Sequence, residues 1–133
     1  MIDSAEQFRS LRESENAGEY HRAAHDEAPL EVWLDVLTRM PEMRFWVAQN
    51  KTVPVVVLQQ LADDPDSRVR GMVARKRKIP ETLQLKLATD TDTSVRSALA
   101  YNAKITPRVL AILAEDHDQL VSEPAKRRVE TAK

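Results

Sequence analysis

Apolar residues recur along the chain at the spacing of short amphipathic helices. In the middle of the chain, Val57, Leu58 and Leu61 lie on one helical face. A turn rich in aspartate follows, and Val69 and Val73 then form a second stripe of the same kind. The pattern predicts two short helices, helix A and then helix B, that each bury one side.

This two-helix pattern repeats every 26 residues. The repeat strings that start at residues 52, 78 and 104 superpose without gaps and read TVPVVVLQQLADDPDSRVRGMVARK, KIPETLQLKLATDTDTSVRSALAYN and KITPRVLAILAEDHDQLVSEPAKRR. A unit this small cannot bury its apolar face alone, so neighbouring units must stack. We therefore predict an all-α fold, a short α-solenoid of stacked helix pairs that forms one domain, residues 1–133, with the repeats at 29–121.

The two ends of the chain depart from the repeat. Residues 1–28 indicate a divergent N-terminal helix pair, because SAEQ at 4–7 and NAGE at 16–19 have the pattern of capping boxes. Residues 122–133 are predicted to form a polar C-terminal cap or tail, in which Pro124 interrupts helix B and the end frays into solvent.

Helix boundaries are marked by three residue types. Prolines stand at the predicted starts of helices, where the missing N–H has no acceptor, at positions 29, 41, 54, 80 and 107. The aspartates of the central turn can cap the following helix. Asn50 and Asn102 end helix B, and we expect the left-handed conformation there.

Composition and charge exclude several functions. The chain has no cysteine, which rules out disulfides, thiolate zinc sites, iron–sulfur ligation and a cysteine nucleophile. The formal net charge of −1 argues against a general affinity for nucleic acid or anionic lipid, although residues 1–28 are acidic and residues 65–78 basic. No membrane span or basic-then-apolar signal pattern is present, so we expect a cytoplasmic location.

One motif recurs in the repeats. It follows LAxDxDxxVRxxVAxN, and it stands as LADDPDSRVRGMVARK at 61–76 and as LATDTDTSVRSALAYN at 87–102, with partial copies at 43–50 and 113–121. This pattern resembles the leucine-rich repeat variant, a bacterial member of the wider HEAT and armadillo class of α-solenoids. The resemblance implies stacked helix pairs in which helix A can be partly 3₁₀. It implies no particular activity, since repeat scaffolds host unrelated partners.

Arginine occupies one repeat column at Arg44, Arg70 and Arg96, and an aspartate precedes two of these residues by six positions, at Asp64 and Asp90. The resemblance to HEAT-like repeats implies a ladder of ion pairs and backbone hydrogen bonds along the stack. A guanidinium has five donors, enough for a carboxylate and several helix-end carbonyls. We therefore interpret this column as structural and not as a phosphate-binding row.

Two chemical functions find little support in the sequence. His21 and His25 have the i, i+4 spacing that can hold a metal, but no third ligand is evident, and we predict neither a metal nor a cofactor. Catalytic motifs such as GxSxG or a Walker loop are absent. HEAT-like DNA glycosylases surround an extruded base with aromatic side chains, whereas Trp33 and Trp46 occupy apolar repeat columns and are predicted to lie in the core.

The outward face of helix B is the predicted binding surface, and in solenoids of this class the second helices line the concave side. The repeat positions that are not apolar form one continuous stripe at i, i+3 and i+7. They carry Glu42, Phe45, Gln49, Arg68, Gly71, Arg75, Ser94, Ser97 and Tyr101. We expect Phe45 and Tyr101 to be exposed there, beside Arg75, as in a binding hot spot. The alternative is that the N-terminal helix pair covers Phe45.

The sequence thus predicts a monomeric, non-catalytic protein–protein interaction scaffold, either a cytoplasmic bacterial adaptor or an immunity or antitoxin-type partner. Its predicted binding residues are Glu42, Phe45, Gln49, Arg68, Arg75, Ser97 and Tyr101. The alternative is a nucleic-acid-binding HEAT-like protein that uses the basic residues Arg68, Arg75, Arg77, Lys78 and Lys104. An enzyme is the third possibility, with alkylpurine DNA glycosylase activity as its best version.

Overall fold

The computed structural model describes residues 1–131, and within that range the chain is entirely helical, which confirms the all-α prediction. The α-helices are α1 Ala5–Glu13, α2 Ala17–His25, α3 Leu30–Arg39, α4 Arg44–Gln49, α5 Val55–Leu61, α6 Ser67–Ala74, α7 Glu81–Ala88, α8 Thr93–Ala100, α9 Pro107–Ala114 and α10 Gln119–Thr131. One 3₁₀ helix, Pro41–Met43, precedes α4. The chain divides into two compact units, Met1–Leu61 and the part from Ala62 onward.

The helices begin where the sequence predicted. Asp66 and Asp92 cap α6 and α8, and each carboxylate accepts the backbone N–H two residues later. Ser4 accepts the N–H of Gln7 at the start of α1, and Asn16 accepts those of Gly18 and Glu19 at the start of α2, which confirms the two N-terminal helix starts. The A-type helices α5, α7 and α9 are α-helical, so the partly 3₁₀ character that the resemblance implied for them is absent from the described residues.

The core of the first unit is built around one aromatic pair. Trp33 on α3 and Phe8 on α1 are fully buried, and their rings meet edge to face with centroids 5.3 Å apart. In this unit α1 packs against α2 and α3, and α4 packs against both α2 and α3. Trp33 therefore lies in the core, as predicted.

In the second unit, helices of the same type are neighbours. The B-type helices α6, α8 and α10 pack in that order, and the A-type helices α7 and α9 pack against each other. Leu87, Leu99, Leu113 and Val121 are fully buried between them. Apolar residues in the same repeat column thus face the same interior, because the sequence period matches the structural one.

The arginine column forms the predicted ladder in the second unit. Arg70 donates to both carboxylate oxygens of Asp90, at 2.9 and 3.2 Å, and also to the backbone carbonyl of Asp64 at 2.8 Å. Arg96 repeats the arrangement, with Asp116 at 2.9 Å and the carbonyl of Asp90 at 2.7 Å. Each guanidinium therefore joins the turn before its own helix to the turn of the next repeat.

These buried ion pairs change the acidity of their members. The hydrogen bond with Asp90 raises the pKa of Arg70 above its usual value. Burial alone would raise the pKa of Asp116, but the N–H of Asp118 and the guanidinium of Arg96 outweigh it and lower the pKa of that carboxyl below its usual value. Both shifts favour the charged forms of Arg70 and Asp116.

A second set of inter-repeat contacts comes from a column that we call the clasp residues, Asn50, Asn102 and Arg128. The amide of Asn102 donates to the carbonyls of Ala74 and Lys76, at 2.8 and 2.7 Å. Arg128, 26 residues later, donates to the carbonyls of Ala100 and Asn102, at 2.6 and 2.8 Å. The clasp thus satisfies carbonyls at the end of the preceding B-type helix, which have no intrahelical partner.

The clasp corrects one prediction about the asparagines. Asn50 has φ −59° and ψ 132°. None of the described residues, glycine or other, has a positive φ, so the predicted left-handed conformation at the asparagines is wrong. Asn50 instead donates its amide to the carbonyls of Ala23 and Asp26. Asparagine is needed there for its side-chain hydrogen bonds and not for its backbone freedom.

The C-terminal helix corrects another prediction. Helix α10 runs from Gln119 to Thr131 straight through Pro124, so the proposed interruption is wrong. Pro124 and Ala125 are buried, and Arg128 is tied to the preceding helix end. The predicted cap or tail is helical as far as residue 131, and its last two positions lie outside the described residues.

We expect Asn102→Ala to lower the free energy of unfolding by about 2–3 kcal/mol, because it removes two donated hydrogen bonds and one accepted bond at a buried site. Urea unfolding followed by far-UV circular dichroism measures the change. Gln59→Ala, which removes an exposed amide from α5, is the control and should shift stability by less than about 0.5 kcal/mol. Equal effects of the two substitutions would show that the clasp is incidental.

Candidate functional site

The clasp residues position two of the predicted binding residues. The carbonyls that Asn102 holds belong to residues 74 and 76, so the residue between them, Arg75, is fixed at the end of α6. Arg128 holds the carbonyls on either side of Tyr101 in the same way, at the end of α8. Both side chains therefore project from backbone that is anchored on each side.

Arg75 and Tyr101 line a shallow groove in the second unit, which we call the α8 groove. Its volume is about 900 Å³. The residues that line it are Arg75, Arg77, Thr93, Ser94, Ser97, Ala98, Tyr101, Asn102, Ala103 and Leu120. It brings together three of the predicted binding residues, Arg75, Ser97 and Tyr101, and Ser94 from the same predicted face.

The middle of the α8 groove is made of small side chains whose polar atoms are engaged. The hydroxyl of Ser94 donates to Asp92 at 2.6 Å, and that of Ser97 donates to the carbonyl of Leu120 at 3.3 Å. The hydrogen bond from Ser94 also lowers the pKa of Asp92 below its usual value. The floor is therefore rigid and offers little specific hydrogen bonding, so recognition depends on its rim.

The rim of the α8 groove combines apolar surface with positive charge. Tyr101 and Leu120 are 69% and 68% exposed, which is unusual for side chains of their size and type. Arg75 and Arg77 are exposed and form no salt bridge with any of residues 1–131, and no carboxylate lines the groove. The site is thus suited to an anionic ligand with an apolar or aromatic part.

Leu120 was missed by the sequence reasoning, although a signal was present. It lies 26 residues after Ser94, in the same outward column as Glu42 and Arg68. The predicted face was assembled from three repeats only, because the fourth was read as an interrupted cap. Once α10 is known to be continuous, the column extends to Leu120 and completes the groove.

The remaining basic residues differ in their surroundings. Arg68 is exposed, but its guanidinium pairs with Asp66, Nη2 to Oδ2, at 2.9 Å, and this hydrogen bond raises the pKa of Arg68. Lys78 and Lys104 are exposed, and neither lines the α8 groove. The candidate nucleic-acid residues thus do not form one continuous lining around the groove.

Three predicted binding residues lie in the first unit and are treated there by themselves. Glu42 is exposed and pairs with Arg9. Phe45 is only half-buried, not fully exposed as predicted, because its ring packs edge to face against Trp46 with centroids 4.9 Å apart. Gln49 lines a separate depression between α2 and α4.

Trp46 does not lie in the core, so that prediction is wrong. It is half-buried, and the guanidinium of Arg12 lies 3.4 Å from the centroid of its ring. The same repeat column is half-buried at Met72 and Ala98. The column borders the apolar stripe of the B-type helix, where side-chain type alone does not separate core from rim.

His21 and His25 do not form the metal site that their spacing allowed. Their rings stack face to face with centroids 3.9 Å apart, and Nδ1 of His25 lies 3.0 Å from the carbonyl of His21. Among residues 1–131 no cluster of three or more potential metal ligands occurs. No helix in the same range has the length and apolar character of a membrane span.

No family model, curated protein or solved structure matches the chain. The HEAT-like resemblance therefore depends on the repeated sequence motif alone.

Removal of the groove's rim should leave the fold intact. We expect Tyr101→Ala to change the free energy of unfolding by less than about 0.5 kcal/mol, because that side chain is exposed. Leu99→Ala on the same helix should cost about 2–5 kcal/mol, since Leu99 is fully buried. Chemical unfolding of both variants compares them. A loss for Tyr101→Ala as large as that for Leu99→Ala would mean that the groove is part of the core.

Proposed function

We propose that this chain is a non-catalytic protein-binding module that docks an acidic segment of a partner protein in the α8 groove. The observation that carries the proposal is the composition of the groove. Two arginines that form no salt bridge with residues 1–131, Arg75 and Arg77, stand beside two exposed apolar side chains, Tyr101 and Leu120. The floor consists of small residues, and no carboxylate of the same range lines the groove. Aromatic and arginine side chains are enriched among the residues that dominate protein interfaces.

We further propose that the helix pairs form a short HEAT-like α-solenoid. The support comes from contacts that recur with the 26-residue period. The pair Arg70 and Asp90 is repeated by Arg96 and Asp116, and the amide of Asn102 is followed in its column by Arg128. In such a scaffold the B-type helices present a binding surface while the A-type helices close the other side.

The distribution of positive charge around the groove favours a protein partner over nucleic acid. A nucleic-acid surface needs several cations that follow the phosphate backbone. Here Arg68 is paired with Asp66, and the rim opposite Arg75 carries Leu120 and no cation. An adaptor or an immunity-type partner is the kind of protein that this surface suits. Nucleic acid remains the alternative, because Arg77, Lys78 and Lys104 are exposed.

The proposal is tested with short fluorescent peptides that combine acidic residues with one aromatic or aliphatic residue, and with charge-reversed versions of the same peptides. Fluorescence anisotropy should show saturable binding of the acidic set only. Tyr101→Ala should weaken that binding at least about tenfold, as expected for a hot-spot residue. Arg75→Ala should also weaken it, whereas Arg127→Ala on the exposed surface of α10 should not.

Single-stranded and duplex oligonucleotides form the second arm of the experiment. Binding that falls by orders of magnitude from low to moderate salt, and that does not respond to Tyr101→Ala, would replace the proposal with the nucleic-acid alternative. No preference for acidic over basic peptides would also contradict it.

A further inference from the structure

A second depression lies in the first unit, between α2 and the end of α4. Its volume is about 550 Å³, within the range of about 300–1,000 Å³ that is typical of small-molecule sites. The polar residues that line it are Arg12, Tyr20, His21, His25 and Gln49. All of these can donate hydrogen bonds, and no carboxylate lines the depression.

Arg12 differs from its neighbours in having no anionic partner. Arg9, Arg22 and Arg39 each form a salt bridge with a carboxylate. Arg12 forms none with the described residues, and its buried Nε atom has no hydrogen-bond partner there. A partly buried guanidinium without a carboxylate partner leaves its charge uncompensated, and an anionic ligand in the depression could supply that partner.

The guanidinium of Arg12 is also held in place. Its Cζ lies over the ring of Trp46, 3.4 Å from the ring centroid, in a cation–π contact. The contact restricts the position of the group, and because Nε is enclosed, the two Nη atoms form the edge that is left for a ligand. A planar guanidinium with a fixed orientation is well suited to bind two oxygen atoms of one oxyanion.

The opposite wall is aromatic. His21 and His25 stack with an interplanar angle of 15°. A carbonyl can only accept, so Nδ1 of His25 donates to the carbonyl of His21 and fixes that ring. Tyr20 beside them is 45% exposed. This wall provides apolar contact area for the body of an organic ligand.

We propose that this depression, the Arg12 pocket, binds a small organic molecule that carries an oxyanion, either a phosphate monoester or a carboxylate. Arg12 binds the oxyanion, with Gln49 and Tyr20 as further donors, and the histidine pair contacts the organic body. The site lies within the first unit and is independent of the α8 groove, so each proposal can fail without the other.

The test uses the full chain and three probes: phenyl phosphate, benzoate and inorganic phosphate. Each is titrated at fixed pH and ionic strength, and the ring signals of the histidines are followed by NMR. We expect saturable shifts at His21 and His25, whereas His117, the third histidine, is 87% exposed in the second unit and should not respond. Phenyl phosphate or benzoate should bind at least about threefold more tightly than inorganic phosphate, because the aromatic wall adds contact. The tighter of the two identifies the oxyanion.

Substitutions distinguish a specific binding site from general attraction of anions by positive charge. Arg12→Ala should weaken the best probe at least about tenfold, and Arg12→Lys should weaken it less, since the charge remains but the planar fork is lost. Tyr20→Phe, which removes an exposed hydroxyl with little risk to the fold, should weaken it about two- to threefold. Arg127→Ala is the control. Shifts that do not saturate, that move His117 in parallel, or that survive Arg12→Ala in a folded variant would overturn the proposal.

Discussion

The structure depends on how the ends of short helices satisfy their backbone polar groups. A helix of eight residues, such as α6 or α8, leaves a large share of its N–H and carbonyl groups without intrahelical partners. Here the partners come from the next repeat. Asn102 and Arg128 donate to the carbonyls at the end of the preceding B-type helix, and Arg70 and Arg96 join the turns on either side. Burial of apolar surface drives the packing of neighbouring helices, and these contacts fix which residues of successive repeats face each other.

The same contacts explain why the candidate sites lie where they do. Asn102 anchors the backbone around Arg75, and Arg128 anchors it around Tyr101, so both rim residues project from fixed positions. In the first unit, Asn50 donates to the carbonyls of residues 23 and 26, and His25 in the Arg12 pocket lies between them. Surface residues with exposed side chains are thus presented by a backbone that cannot easily move.

Much of the fold could be predicted from the sequence, because each position of the repeat occurs several times and its residue types together indicate whether it is buried or exposed. The aspartate caps and the buried stripes follow from residue type and spacing, and the arginine ladder was implied by the resemblance to HEAT-like repeats. The clasp could not be predicted, because Arg128 differs in residue type from Asn50 and Asn102 and the partners of all three lie more than twenty residues away. Asparagine suits two roles, as the left-handed end of a helix or as a side-chain hydrogen-bond donor, and the sequence analysis assigned it the first, which needs no distant partner.

The candidate sites were predictable to a smaller extent. Arg75, Ser97 and Tyr101 follow from their outward columns, whereas Leu120 was lost when Pro124 was taken to end the helix. Pro124 is the sixth residue of α10, and the carbonyl of Leu120, which the missing N–H of Pro124 leaves without that partner, accepts the hydroxyl of Ser97 instead. The Arg12 pocket gave no signal in the repeat, because Arg12 and the histidines precede it, and Arg12 meets Trp46 only through a tertiary contact.

The central claim, that polar contacts couple adjacent repeats, is tested most directly by a double-mutant cycle on Arg96 and Asp116. Both side chains are 8% exposed, and the atoms Nε and Oδ2 are 2.9 Å apart. Urea unfolding of the two single alanine variants and of the double variant gives the coupling free energy. We predict a favourable coupling of about 1–3 kcal/mol, whereas effects that add within about 0.5 kcal/mol would show that the repeats are held together by apolar packing alone.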